Sequence, residues 1–229
     1  MKILDKGFLE LVDHMGDDKK VVNSARVSFN GNDEENKTVE KKDIKLIEYL
    51  LRNNHSSPLE HVVFTFLVKT PLFVARQWMR HRTWSFNEVS RRYTSEEIDF
   101  YVPEFLRKQS EDNKQASTEE EIHKIDGIPI ANLIKDNNER CMRLYDYFIE
   151  NGVAREQARM VLPQNMYTKY YGTVNLWNLL KFLDLRNHKH SQLEIRVYAV
   201  EILKQIKSIV PNVISIWNKL KKEAKEKSS

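Results

Sequence analysis

The stretch HVVFTFLVKTPLFVARQWMRHR, residues 61–82, decides the fold because it joins a buried strand directly to a helix. In its first half, large apolar side chains occupy alternate positions: Val62, Phe64, Phe66 and Val68. This period of two, in a run rich in β-branched and aromatic residues, predicts a strand. Thr70 followed by Pro71 is a typical N-cap and first helical residue, so we expect a helix that begins at Pro71 and includes the arginines after it.

Strand-like and helical patterns continue on both sides of this stretch. The N-terminal segment 1–16 is predicted to form a strand pair or a strand and a turn, and MYTKYYGTV, residues 166–174, a further strand. Apolar residues at helical spacing predict helices over these ranges: 17–28, 43–53, 132–150, 154–162, 175–185 and 191–210. Because crossover helices do not regularly separate the strands, we expect residues 1–229 to form a single α+β domain, with a mainly antiparallel sheet packed against helices.

Three segments are predicted to lie outside this core. Residues 31–42 are polar and are expected to form a loop. Residues 104–127 are charged and irregular in pattern, and we expect them to form a surface excursion. The C-terminal tail, 219–229, is predicted to be a frayed, solvated helix end.

The composition excludes several classes of protein. A chain of 229 residues is long enough to bury a core without disulfides or structural metals. No apolar run approaches the roughly 18 residues that a membrane span needs, so no membrane association is expected. The opening residues lack the apolar stretch of a secretory signal, and the single cysteine, Cys141, cannot form an internal disulfide. We therefore expect a cytoplasmic protein.

Positive charge is concentrated in two places. The last eleven residues contain five lysines and two glutamates, which is typical of a solvated helix end. Residues 76–92 contain five arginines and one glutamate, with His81 in addition. Like charges at such density are unfavourable unless something anionic lies among them, so this segment is expected to bind an anion.

The residues around the arginines widen the range of possible ligands. Gln77, Arg80 and His81 share one face of the predicted helix, and WSFNEVSRRY, residues 84–93, adds hydroxyls, an amide, a carboxylate and two guanidiniums. A surface helix whose arginines pair with carboxylates elsewhere would explain the arginines alone. The whole set suits phosphate groups and the edges of a heterocycle together.

The same segment resembles a known family. Arg80, His81 and Arg82, followed after seven residues by Ser90, match the RHR-x7-S signature of flavin-dependent thymidylate synthases. Other segments resemble landmarks of that family in the same order: ARVS at 25–28, HSSPLEH at 55–61, AREQARMVLP at 154–163 and LDLRNHKHSQLEI at 183–195. The resemblance therefore covers most of the chain.

The resemblance implies an enzyme that converts dUMP into dTMP by reductive methylation. It implies methylenetetrahydrofolate as the carbon donor, FAD as the cofactor and NADPH as the reductant of the flavin. It also implies a homotetramer with FAD at subunit interfaces and with ligands shared between chains, so that the segment 88–92 serves a neighbour's site.

The resemblance assigns roles position by position. It implies flavin contacts from these residues: Ser57, Arg80, His81, Arg82, Glu88 and Asn175, with His55, His190 and Lys181 as further candidates. It implies dUMP contacts from these: Gln77, Arg80, Glu88, Ser90, Arg92, Arg159 and Arg186, with the backbone of Val89, Ser90, Arg91 and Arg92 around the phosphate. Lys181 and Trp177 depart from the residues that the family often shows at those positions.

The residues themselves favour a reaction without a cysteine nucleophile. Uracil accepts carbon poorly and needs either a thiolate that adds at C6 or a fixed cation that polarises the ring. Cys141 lies on the predicted buried stripe of the helix 132–150, where a thiol is usually inert. Arg186 is the candidate catalytic cation, because a guanidinium stays charged and its fork can pair with a ring nitrogen and a carbonyl oxygen.

Other interpretations of single residues stay open at this stage. Ser90 invites a nucleophile interpretation, but no histidine is placed to activate it, and a phosphate ligand is simpler. His188 and His190 form an H-x-H pair without acidic ligands nearby, so no metal site is predicted. The sequence does not choose which aromatic residue stacks on a ligand: Trp78, Trp84, Phe86, Tyr93 or Tyr101.

Two rival functions remain. A single-stranded nucleic-acid-binding module would use the arginines and aromatic residues of 76–93, but the basic excess is confined to this segment and the tail, so no nucleic-acid partner is expected. A nucleotide hydrolase would use Glu60 and Glu88 as acid and base, but it would need grouped metal-binding carboxylates, which the sequence lacks.

Overall fold

The computed structural model describes residues 2–29, 38–94, 98–114 and 116–227. Its strands are β1 (Lys2–Ile3), β2 (Gly7–Met15), β3 (Val63–Pro71), β4 (Ser85–Glu88), β5 (Leu106–Gln109), β6 (Ser117–Ile122), β7 (Lys124–Ile125), β8 (Ile128–Pro129) and β9 (Tyr167–Asn175). Its helices are α1 (Asp18–Arg26), α2 (Lys41–Arg52), α3 (Ser57–Glu60), α4 (Leu72–Trp78), α5 (Ile130–Glu150), α6 (Arg155–Ala158), α7 (Leu176–Arg186), α8 (Leu193–Ile206) and α9 (Pro211–Glu226). Two 3-10 turns, Val27–Phe29 and Arg159–Val161, follow α1 and α6.

A five-stranded antiparallel sheet forms the centre of the described structure, in the order β1-β2-β3-β9-β4. The central pair, β3 and β9, is in register from Val63 opposite Asn175 to Pro71 opposite Tyr167. Helices α4, α7 and α8 pack against this sheet. The predicted single α+β domain with a mainly antiparallel sheet is therefore confirmed.

The alternating apolar residues that predicted β3 are buried in the structure. Phe64, Phe66 and Val68 are fully buried against the helices, whereas Val63 and Thr65 are only half-buried on the opposite face. Burial of one such large apolar side chain stabilises a fold by about 1.5–3 kcal/mol. The helical face of the sheet therefore holds the main core.

An aromatic cluster ties α4 to the sheet and to α7. Trp78, the last residue of α4, is fully buried and contacts four aromatic rings, those of Trp84, Tyr170, Phe182 and Tyr198. Its ring centroid lies 4.9 Å from that of Phe182 on α7. This packing fixes the point at which the chain leaves α4 and enters the RHR segment, residues 80–82.

The predicted helix from Pro71 through Arg82 is wrong at both ends. Pro71 still pairs with β9 and is the N-cap of α4, so Thr70 lies within the strand. The helix ends at Trp78, because the backbone N–H of His81 donates to the Trp78 carbonyl and a second tight turn follows. Arg80 and His81 therefore lie beyond the helix and do not share a helical face with Gln77.

The segment 104–127 is more regular than predicted. Strands β5 and β6 pair in an antiparallel hairpin, and β7 and β8 form a second, shorter pair. The Gln109 amide braces the first hairpin by donating to the carbonyls of Ser110, Asn113 and Ala116, at 3.2, 3.2 and 3.0 Å. Side-chain bonds to the turn backbone provide an order that the charged composition did not indicate.

The C-terminal tail is also more ordered than predicted. Helix α9 continues through Glu226 and packs against α2. Lys219 pairs with Glu48 at 3.0 Å, and Lys221 pairs with Asp184 at 2.7 Å. These contacts explain why residues 219–226 do not fray. Of the predicted loop 31–42, residues 31–37 lie outside the described residues, and the last two residues begin α2.

Helix α5 and the turns after it form a smaller second core. Tyr145, Ala158, Leu162 and Met166 are its buried members. Cys141 is only half-buried on α5, so its predicted place on a fully buried stripe is wrong. None of the helices in the described ranges is long and apolar enough to cross a membrane.

Candidate functional site

A cavity of about 1030 Å³ lies between the β5–β6 hairpin and the connection from α7 to α8. It is lined by Gln77 from α4, by Arg186 at the end of α7 and by His190 from the connection. The structure thus brings together three of the predicted site residues. Its volume lies at the upper end of the range of ligand pockets, which is typically about 300–1,000 Å³.

Arg186 is held by a histidine of the signature. Its Nε donates a hydrogen bond to Nε2 of His81 at 3.0 Å, and no carboxylate within the described ranges pairs with it. The His81 ring packs edge-on against Phe182, with centroids 4.9 Å apart. Phe182 and Arg186 are four residues apart on α7, so one helical face carries both contacts.

The electrostatics of this pair keep the histidine neutral. Burial and, after it, the nearby Arg186 guanidinium lower the pKa of His81 from 6.5 to about 4. At neutral pH the Nε2 lone pair is therefore free to accept, and the tautomer that fits carries its proton on Nδ1. Burial also lowers the pKa of Arg186, but a guanidinium remains charged at any physiological pH.

Gln77 brings an unsatisfied acceptor to the same cavity. Its Oε1 atom is buried and has no hydrogen-bond partner among the residues that the structure describes. An unpaired buried carbonyl costs about 1–3 kcal/mol, and a ligand N–H would satisfy it. Gln77 and Arg186 together therefore present an acceptor and a charged donor, a pattern that suits the edge of a heterocycle.

Three arginines in and before the RHR segment, residues 80–82, have no ion-pair partner among the residues that the structure describes. Arg76, Arg80 and Arg82 are exposed, and none of their guanidiniums makes a hydrogen bond or ion pair with any residue in the described part of the chain. The interpretation that they pair with carboxylates of the same chain therefore finds no support in these ranges. They remain available to an anionic ligand or to another subunit.

A second group of predicted residues lies at one end of the central sheet. Ser57 begins α3, which packs against α7, and Asn175 ends β9. The side-chain oxygen Oδ1 of Asn175 caps α7 by accepting from the backbone N–H of Asn178 at 3.0 Å, which leaves the side-chain NH₂ for a ligand. Lys181 lies over the Trp177 ring at 4.9 Å from its centroid. His55 precedes α3 and is exposed, edge-on to Tyr49.

A third group lies where β4 ends. Glu88 accepts a hydrogen bond from the Thr168 hydroxyl at 2.5 Å, and the Val89 N–H donates to the Lys169 carbonyl. The Ser90 hydroxyl oxygen accepts from the backbone N–H and Nε of Arg92, both at 3.3 Å.

Two further arginines that were predicted to contact dUMP, Arg91 and Arg159, also lie outside the cavity. Arg91 is buried, and Arg159, in the turn after α6, donates from its Nε to the Glu156 carbonyl. None of the residues from Glu88 to Arg92, nor Arg159, lines the cavity that holds Arg186. In the described chain, the residues expected around a phosphate therefore do not line the cavity that holds those expected around a base.

The histidines at the α7–α8 connection form a pair without further ligands. The rings of His188 and His190 lie 5.1 Å apart, and both residues line the cavity. Across the described ranges, no three His, Cys, Asp or Glu residues are grouped closely enough to hold a metal ion.

Sequence reasoning missed the wall that the hairpin contributes to the cavity. Arg107 lines it from β5, and Glu194 lines it from the start of α8. Burial, with the nearby Glu194 and Asp5 carboxylates, raises the pKa of Tyr101, which also lines the cavity, above its ordinary value. The alternation of LRKQ in β5 was the available signal, but it is too short to separate a strand from an irregular loop.

Comparison with known proteins places this arrangement in a family. The family model described as thymidylate synthase complementing protein matches residues 10–212. A flavin-dependent thymidylate synthase from Thermosipho melanesiensis is 48% identical over 210 residues, 92% of this chain and 90% of the relative. Another from Thermus thermophilus is 50% identical over 209 residues, 91% and 74% of the two chains.

A solved structure shows the same fold. The crystal structure of the UMP/dUMP methylase PolB from Streptomyces cacaoi, bound with 5-Br dUMP, matches with a TM-score of 0.80 and 33% sequence identity. The match covers 95% of this chain and 97% of that one. With a family model over residues 10–212 and relatives close to half identical, the chain belongs to the family of flavin-dependent thymidylate synthases that the RHR-x7-S signature indicated.

Proposed function

We propose that the protein is a flavin-dependent thymidylate synthase, which converts dUMP into dTMP with methylenetetrahydrofolate as carbon donor and NADPH as reductant. The observation that carries the proposal is the Arg186 guanidinium, held by a neutral His81 in the same cavity as the unsatisfied Gln77 carbonyl. The relatives bear this name, and the PolB methylase with the same fold was crystallised with 5-Br dUMP.

The residues present fit a flavin dinucleotide. Arg80 and Arg82 are exposed guanidiniums without partners in the described ranges, which suits a diphosphate, while Ser57 and the Asn175 amide offer neutral donors. We assign FAD to these residues with His55, His81, Glu88, Lys181 and His190 as further contacts. When bound, the flavin supplies the electrons that reduce the transferred carbon to a methyl group.

Arg186 and Gln77 bind the pyrimidine in this proposal. The terminal nitrogens of Arg186 have no partner in the described part of the chain, so both can face the ring. A fixed positive charge beside the ring nitrogen and carbonyl stabilises the N3-deprotonated or polarised pyrimidine, the electron-rich form from which C5 attacks the donor carbon. Cys141 does not line the cavity, so the nucleophile that a thiol would supply has no place in this scheme.

The nucleotide phosphate is assigned to Ser90, Arg92 and Arg159, with the backbone from Val89 to Arg92 and Arg80 beside them. Because these residues do not line the cavity of their own chain, we propose that a neighbouring subunit supplies them and that the enzyme is a homotetramer. A cytoplasmic location is part of the proposal, since a single cysteine gives no disulfide that would need an oxidising compartment.

Tritium release from dUMP labelled at C5 tests the proposal, because the C5 hydrogen leaves as a proton when the new carbon–carbon bond forms. We expect release that requires NADPH, methylenetetrahydrofolate and FAD together, and turnover of Cys141→Ala within about twofold of wild type. Release without the folate donor, or its loss in Cys141→Ala, would contradict the proposal. A colourless protein that rejects FAD and retains RNA would instead support the nucleic-acid-binding module.

A further inference from the structure

The β5–β6 hairpin forms one wall of the cavity that holds Gln77 and Arg186. The hairpin residues that line it are Leu106, Arg107, Gln109, Asn113, Ala116 and Ser117. The Gln109 amide is used in three hydrogen bonds to the turn carbonyls, and the Ser110 N–H donates to the Ala116 carbonyl at 3.0 Å. This wall is therefore held in shape before any ligand binds.

Arg107 is the charged group of this wall without a counterion. It is half-buried, and its guanidinium makes no hydrogen bond or ion pair with any residue that the structure describes. The charged residues beside it are paired: Lys108 with Glu120 at 3.2 Å, and Glu121 with His123 at 3.1 Å. Glu121 stands opposite Arg107 in the hairpin register, yet its carboxylate contacts His123. A partly desolvated guanidinium in this state is stabilised by a ligand anion.

The other charges of the cavity restrict what that anion can be. Its described lining contains two guanidiniums, Arg107 and Arg186, and four carboxylates: Asp5, Glu104, Asp184 and Glu194. Asp184 is paired with Lys221, whereas Asp5, Glu104 and Glu194 have no cationic partner in the described ranges and leave negative charge in the cavity. Such a lining repels a ligand that carries several phosphates and tolerates one with a single localised anionic end.

The chemistry of the hairpin wall fits the carbon donor. A folate carries glutamate carboxylates at one end, an apolar aminobenzoyl ring in the middle and a pterin rich in N–H donors at the other. The guanidinium fork matches a carboxylate with two parallel hydrogen bonds, Phe105 and Leu106 offer apolar surface, and Glu194 is an acceptor for N–H groups. The nucleotide phosphate is already assigned to Ser90, Arg92 and Arg159.

We propose that Arg107 binds a glutamate carboxylate of the folate donor, which makes the β5–β6 hairpin the site of the folate tail. This rests on the proposed function, because the folate is a substrate only if the protein methylates dUMP. The cavity of about 1030 Å³ has room for part of a second ligand beside the pyrimidine.

Equilibrium dialysis of tetrahydrofolate against the protein loaded with FAD and dUMP tests the proposal. Removing one charge-assisted pair weakens binding about 10- to 100-fold, so we expect that loss in Arg107→Gln and a smaller loss in Arg107→Lys. Lys108→Gln is the matched control, because it removes one charge from the same strand outside the cavity, and we expect its affinity within about twofold of wild type.

A folate analogue with both glutamate carboxylates converted to amides separates this contact from a general disturbance. Wild type should bind the diamide about as weakly as Arg107→Gln binds the acid, and Arg107→Gln should show no further loss with the diamide. The KM values for dUMP and NADPH should not change. Equal weakening of acid and diamide, or a change confined to the KM for NADPH or dUMP, overturns the assignment.

The outcome for this contact is distinct from the outcome for the proposed function. If wild type releases tritium with the folate donor but Arg107→Gln binds tetrahydrofolate as wild type does, the folate-tail site is wrong and the reaction stands. If wild type releases no tritium with any combination of donor, NADPH and FAD, the reaction is wrong and the folate-tail site falls with it.

Discussion

Arg186 is held by a neutral imidazole where many arginines are held by a carboxylate. The hydrogen bond from Arg186 Nε to His81 Nε2, 3.0 Å long, fixes the direction of the guanidinium. Because the imidazole is neutral, it does not cancel the positive charge. A carboxylate in that place would offset the positive charge that we propose acts on the pyrimidine. The pairing thus combines orientation with an undiminished electrostatic effect, which is the arrangement that preorganised catalysis requires.

Replacing Arg186 by lysine tests this role. A lysine keeps the charge but lacks both the fork and the Nε–H that His81 accepts, so we expect kcat to fall about 10²- to 10³-fold, as when an oxyanion donor is removed. Flavin absorbance should remain at the wild-type level. Arg196→Lys is the control, because Arg196 lies on α8 outside the cavity and, among the described residues, its guanidinium bonds to the Lys189 carbonyl. Turnover within about threefold of wild type in Arg186→Lys would refute the assignment.

The lowered pKa of His81 predicts a pH dependence of stability. The folded protein resists protonation at His81 down to about pH 4, whereas the unfolded chain takes up that proton near pH 6.5. The stabilisation is therefore complete above pH 6.5 and is lost as the pH falls from 6.5 towards 4.

His81→Asn isolates this contribution, because its amide oxygen can still accept from Arg186 but cannot titrate. The free energy of unfolding of the flavin-free variant, from urea denaturation, should decline less between pH 6.5 and 4 than that of wild type. All other titrating groups are common to both proteins. Parallel pH profiles would show that His81 is not held neutral by its surroundings.

The sequence could indicate which residues carry the chemistry but not how they meet. Gln77, Arg186 and His190 were predicted as ligand contacts, and they do line one cavity. The bond between His81 and Arg186 joins residues 105 positions apart, and no local pattern encodes it. Arg107 escaped notice because its lack of a partner is a property of the folded hairpin and not of its neighbours in sequence.

At the scale of elements, α7 connects the aromatic core to the site. Phe182 is fully buried, contacts Trp78 and Trp84 in the core and also supports the His81 ring. One turn later the same helix presents Arg186 to the cavity. The position of the guanidinium therefore depends on how α7 packs.

Phe182→Leu tests whether the packing of α7 positions Arg186 as well as stabilising the core. We expect a loss of about 1–2 kcal/mol in the free energy of unfolding from lost packing, together with a several-fold lower kcat as His81 loses its support. Phe66→Leu is the matched control, since Phe66 is equally buried and contacts Trp84 but neither His81 nor Arg186. It should lose similar stability and keep its kcat, and an equal fall in kcat in both variants would contradict the role of α7.

Helices and strands were predictable where apolar residues followed a single periodicity, either that of a strand or that of a helix. The alternation in 61–70 and the helical spacing in 175–185 gave β3 and α7 within a few residues. Helix α4 was predicted too long, because its end depends on the burial of Trp78 and on the tight turn at His81. The hairpin of β5 and β6 depends on Gln109 bonding to three turn carbonyls, which a count of charged residues does not suggest.

At the scale of the whole molecule, the residues that we assign to the base and those that we assign to the phosphate do not line one cavity of the described chain. Gln77 and Arg186 line the cavity, while Ser90, Arg92 and Arg159 lie outside it. The exposed guanidiniums of the RHR segment likewise have no partners in the described ranges. Sequence similarity to the family supplied the expectation of shared sites, which no pattern within a single chain could provide.

Mixing two inactive variants tests whether sites are shared. Arg186→Lys removes the cavity side and Arg92→Ala removes the phosphate side, so each alone should have little turnover. If each site combines the two sides from different subunits, random mixed assemblies should recover about a quarter of the wild-type sites. The measurement is tritium release after joint refolding of equal amounts. Activity no higher than the sum of the two separate variants would place each complete site within one chain.

A crystal structure of the FAD-loaded protein with dUMP would show directly what activates the pyrimidine. Our prediction is that the uracil ring lies against the Arg186 guanidinium and the Gln77 amide, with no covalent bond to any sulfur. A bond between C6 of the nucleotide and Sγ of Cys141, or a nucleotide bound away from Arg186, would contradict it.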